Sequence, residues 1–123
     1  MAPSDADFAA ELDAAVVRYL RAVDAWEMEF KKPAPSMEAV LRDYVQARHQ
    51  LERRVPRARI LCARHGVRDP FPSLMRVALG GAAPAVGRNE RAAIHQSLVE
   101  LAAAIEGPES APRTFLDRIR DFF

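Results

Sequence analysis

Apolar residues recur at Leu12, Val16, Tyr19, Val23, Trp26 and Phe30, with spacings that alternate between four and three. That alternation places them on one face of an α-helix about 25 residues long. Ser4 stands where an N-cap oxygen would accept from an orphan amide, and Asp5 and Asp7 suit the positive end of the helix dipole. Glu27 and Lys31 form an i,i+4 pair near the other end. Lys32-Pro33-Ala34-Pro35 stops the helix, because proline lacks an amide proton and restrains the residue before it.

A second stripe runs through Met37, Leu41, Tyr44, Leu51 and Val55, broken only by Arg48. Ser36 is the expected cap, with Glu38 in the first turn. Two long helices joined by a short proline-containing loop should fold back as an antiparallel hairpin. Pro56 then kinks the second helix or starts a new one carrying Ile60, Leu61 and Cys62, and His65-Gly66 closes it as a C-cap.

Asp69-Pro70-Phe71-Pro72-Ser73 reads as a turn, followed by a short helix through Leu74, Met75, Val77 and Leu79 that Gly80-Gly81 ends. After a loop over 82–87, the spacing of Ile94, Leu98, Leu101 and Ile105 predicts an amphipathic helix from about Arg88 to Glu106. Gly107-Pro108 breaks it, and 112–123 forms a last helix. No strand-like alternation and no internal repeat is present. The pattern predicts an all-α fold: one domain over 1–123, a helical bundle of about five to six helices built on the long N-terminal antiparallel helical hairpin.

Composition agrees with this reading. Half of the 123 residues are apolar and 28% are charged, enough for one core without a disulfide or a metal. Cys62 is the single cysteine, so no intramolecular disulfide forms, which fits a reducing compartment. The acidic N-terminus does not resemble a secretory signal, and the longest low-charge run, 77–87, is interrupted by Gly80, Gly81 and Pro84. That run is too short for a bilayer. These features predict a soluble, cytoplasmic protein with no membrane partner.

Charge changes the picture more. The net charge is +1, yet seven arginines from Arg48 to Arg68 face one acid, Glu52, a local surplus of six. On an unbroken helix Arg53, Arg57 and Arg64 fall within about 40° of one another, with His49 nearby. Leu51, Val55, Ala58 and Cys62 occupy the opposite face. Such a row can hold successive phosphates or an acidic protein surface, because each guanidinium forks around two oxygens. It can equally pair with the acidic first helix of the same chain. The aromatic interleaving of a single-strand binder is missing.

Candidate chemistry is sparse. Arg88-Asn89 with His95 fits the loose Arg-x4–6-His pattern of the HEPN helical ribonucleases, in which the two residues act on a phosphodiester. Arg42 with His49 and Arg59 with His65 fit it as well, so the pattern does not discriminate in an arginine-rich chain. Glu-x-x-His pairs, zinc spacings and a glycine-rich phosphate loop are all lacking, and Cys62 falls on the apolar face. No catalytic residue, cofactor or metal is therefore expected. The last helix carries Phe115, Leu116, Ile119, Phe122 and Phe123, more large apolar residues than one narrow stripe requires. Phe115, Ile119, Phe122 and Phe123 are candidate partner-docking residues. The resulting expectation is a non-enzymatic protein–protein interaction module: an adaptor, a small accessory subunit or a homodimer. The alternative is a nucleic-acid-binding accessory subunit using Arg53, Arg57, Arg64 and His49.

Overall fold

A computed structural model of the chain describes residues 4–75 and 86–106. Among them lie four helices and no strand: α1 Asp5–Phe30, α2 Glu38–His65, α3 Phe71–Leu74 and α4 Arg88–Glu106. The helix expected over 112–123 and the stop at Gly80-Gly81 lie outside the described residues.

The cap expected at Ser4 forms, since its Oγ accepts from the Asp7 amide at 3.1 Å. Leu12, Val16, Tyr19 and Val23 are buried as the stripe requires, but so are Ala9, Asp13, Val17 and Leu20. Together the buried positions span an arc of roughly 220° at 100° per residue. A helix covered that widely is the central element of the bundle; α2 packs along one side and α4 along another. The α4 residue Arg91 grips Asp24 with two guanidinium nitrogens, so the first turn of α4 lies level with Asp24. Among the described residues, α1 extends beyond that level of α4 by roughly 9 Å at 1.5 Å per residue, with α2 alongside. The stripe outruns its neighbours here: Trp26 is half-buried, and Phe30 is exposed.

Ser36 does not cap α2. Its amide donates instead to Glu29 Oε1 at 3.0 Å, which ties the connection back to α1, while Met37 occupies the cap position without a side-chain bond. Helix α2 then runs for 28 residues with Pro56 inside it, so no new helix starts there. A proline removes one amide and crowds one carbonyl, and this ring lies on the exposed face, where water can satisfy the carbonyl. Gly66 ends α2 at φ 68°, and the Val67 amide returns to the Cys62 carbonyl at 2.8 Å. Cross-helix pairs run in opposite order along the two helices: Arg18 with Asp43, Glu11 with Arg54, Asp5 with Arg57.

Arg48, the interruption in the second stripe, has a structural explanation. Its guanidinium is half-buried and donates to Tyr44 Oη at 3.2 Å, to the Met75 carbonyl at 2.6 Å and to Glu52 Oε1 at 2.7 Å. Tyr19 Oη donates to the Leu74 carbonyl at 3.4 Å and lies 3.5 Å from Tyr44 Oη. Burial, with Tyr44 alongside, pushes the Tyr19 phenol well above its ordinary value. This polar cluster seats the end of α3 against α1 and α2, supplying partners to carbonyls that burial would otherwise leave unsatisfied.

The helical turn of α3 begins at Phe71, inside the stretch expected to be a turn. Asp69 Oδ1 accepts from the Phe71 amide at 3.0 Å and so stabilises the first residue of that turn. Phe71 and Leu74 then enter the core with Leu51, Leu61, Ile94, Leu98 and Leu101. Helix α4 is fastened through Ser97, a buried hydroxyl that donates to the Arg68 carbonyl at 2.8 Å.

Candidate interaction surfaces

The arginine belt of α2 is largely tied to the chain's own acids. Arg57 Nη2 reaches Asp5 Oδ1 at 2.9 Å, and Arg64 Nη1 reaches Asp5 Oδ2 at 3.7 Å. Arg54 lies 3.8 Å from Glu11, and Arg59 binds Asp69 at 2.6 Å. The Arg57 guanidinium also sits 4.5 Å over the Phe8 ring, where the ring's negative face favours a cation. Of the three arginines expected on one face, Arg57 and Arg64 thus converge on a single carboxylate. Arg53 stands apart, exposed, and without a side-chain hydrogen bond or ion pair among the described residues. His49 turns its Nδ1 toward Glu52 Oε2 at 3.6 Å, and a shallow depression lies between Gln46, His49, Gln50 and Arg53. Phe115, Ile119, Phe122 and Phe123 lie outside the described residues.

Two of the arginine–histidine spacings lead elsewhere: Arg42 pairs with Glu38 and Arg59 with Asp69. Among the described residues no group of three or more histidine, cysteine, aspartate or glutamate side chains could hold a metal ion. Cys62 is buried, and burial, with the negative Asp69 nearby, pushes its thiol up to about 11. A thiol so poised carries almost no thiolate at neutral pH, which suits a small core residue and not a nucleophile. No described helix is long and apolar enough to cross a membrane.

Two surfaces emerge that the sequence did not single out. One is the projecting end of α1 and α2, where Met28, Phe30, Leu41 and Val45 are exposed by 71, 55, 38 and 48%. Phe30 and Leu41 belong to helical stripes, so periodicity alone assigns them to the core. The other is a cleft between the first turns of α4 and the 68–74 segment. Its walls come from stretches about twenty residues apart, which no local pattern could connect.

No family model, curated protein or solved structure matches this chain.

Proposed function

We propose that this chain is a non-enzymatic protein–protein interaction module, an adaptor or small accessory subunit that uses its helical hairpin as the packing surface. The observation that carries this reading is the exposed apolar set at the projecting end. Trp26 stacks edge-on against Tyr44 with centroids 4.8 Å apart, which sets residue 26 level with residue 44. Met28 and Phe30 therefore share one end of the molecule with Leu41 and Val45. Nearby charges already have partners: Glu27 with Lys31, Glu29 with Lys32, Glu38 with Arg42. Met28, Phe30, Leu41 and Val45 stand exposed among these paired charges, and exposed apolar side chains gathered at one end mark a contact site.

The test compares wild type with Phe30→Asp and Leu41→Asp, full-length, by light scattering and by cross-linked pull-down from the native host. Association, with itself or with one recurrent protein, should be present in wild type and lost in both variants. A strict monomer with no co-purifying protein overturns the proposal, as does a partner retained equally by all three.

A second reading rests on Arg53 and His49, two exposed basic side chains beside Gln46 and Gln50, able to contact phosphate. Nucleic acid should then bind in a salt-dependent way and be lost in Arg53→Glu. Absence of retention on an oligonucleotide at low salt ends that reading.

A further inference from the structure

The half-open cleft between α4 and the 68–74 segment offers about 290 Å³, just under the usual range for ligand pockets. Leu74 and Ile94 give it an apolar floor, and Arg68, Ser73, Asn89 and Glu90 supply polar walls. Asp69 also lines it, but its carboxylate is held by Arg59 and the Phe71 amide. The four other polar side chains make no hydrogen bond or ion pair among the described residues, and Arg68 and Glu90 do not pair with each other. Opposite charges that line one small cleft without pairing with each other can hold the neighbouring carboxylate and ammonium of one zwitterion. The floor then selects for an apolar side chain on the carbon that carries both charges.

We propose that this cleft binds a free α-amino acid with an apolar side chain. Arg68 receives the carboxylate, Glu90 receives the ammonium group, and the side chain lies on Leu74 and Ile94. Ser73 and Asn89 complete the hydrogen bonding. Binding here goes beyond the partner-docking reading and does not depend on it, because the projecting end of α1 and α2 contributes nothing to the cleft.

The experiment is a titration of the full chain followed by NMR, with L-leucine as the probe. Two blocked relatives serve as controls: L-leucine amide lacks the carboxylate, and N-acetyl-L-leucine lacks the ammonium charge. L-Leucine should give saturable shifts at Ser73, Ala93 and Ile94. Each blocked relative should bind at least about tenfold more weakly, the loss expected for one charge-assisted hydrogen bond. Arg68→Gln should weaken L-leucine about tenfold while leaving L-leucine amide unchanged, and Glu90→Gln should do the same with N-acetyl-L-leucine as the indifferent ligand. Both side chains are exposed, so the variants keep the fold. No saturable shift with L-leucine overturns the proposal. So does binding that ignores either block, or shifts that persist undiminished in both variants.

Discussion

Helices α1 and α2 are almost equal in length and lie along each other, yet eleven residues of α1 are buried against six of α2. The difference is one of position. Helix α1 is enclosed on more than half its circumference, so its alanines and valines serve packing. Helix α2 is a flank that buries a narrow strip and leaves a wide charged face in water. Length and periodicity therefore do not reveal how much a helix contributes to stability; the number of neighbours does. The enclosed helix holds the fold, and the flank is where side chains remain available for other work.

The largest test of this contrast is Leu12→Ala, in the enclosed helix. Leu12 is fully buried, so its truncation should cost about 2–5 kcal/mol by chemical denaturation. Leu41→Ala, at a stripe position of the flank, should cost clearly less than that range. Equal losses would break the comparison. The next effect is expected at Arg48, where the flank does reach inward. Arg48→Met should cost about 1–3 kcal/mol, because the Met75 carbonyl and the Tyr44 hydroxyl lose their donor. Arg48→Lys should rescue only part, since an ammonium cannot reproduce the planar fork. A smaller effect is expected for the ion pairs between the two helices. Asp5→Ala removes the shared partner of Arg57 and Arg64, both exposed enough for solvent screening, and should cost about 0.5–1 kcal/mol at low salt and less in molar salt. Arg53→Ala should be the smallest, within about 0.5 kcal/mol of wild type in stability.

How much of this the sequence carries depends on how local each determinant is. The helical class, the Ser4 cap, the Gly66 stop and the start of α4 are set by neighbours three or four residues apart, and the pattern reveals them. Ser36 misled because α2 begins one residue later than a Ser36 cap requires, with Met37 in the cap position, and Ser36 is tied to α1 through Glu29, seven residues upstream. At Pro56 the sequence left a kinked helix and a new helix open; the new helix is excluded, because a proline's cost depends on which face its ring occupies, and that face is fixed by packing. At Arg48 the stripe signalled an anomaly; its explanation, the Met75 carbonyl, lies 27 residues away. The belt was visible as a charge surplus, and pairing within the chain was one of three readings that the sequence left open. Only the fold brings Asp5 beneath Arg57 and Arg64. Exposure of Phe30 and Leu41 depends on where α4 begins relative to α1, which is a property of the assembled bundle.

Cys62 gives the protein an internal clock. It is the only thiol in the chain, it is sealed in the core between α2 and its neighbours, and its proton is held until about pH 11. A thiol reagent can reach it only when the packing around α2 opens, so the rate of labelling under native conditions counts those openings directly. Any molecule that binds the closed form, at the projecting end or in the cleft, slows that count, and the degree of slowing reads out its affinity with no label on the ligand and no assay of function.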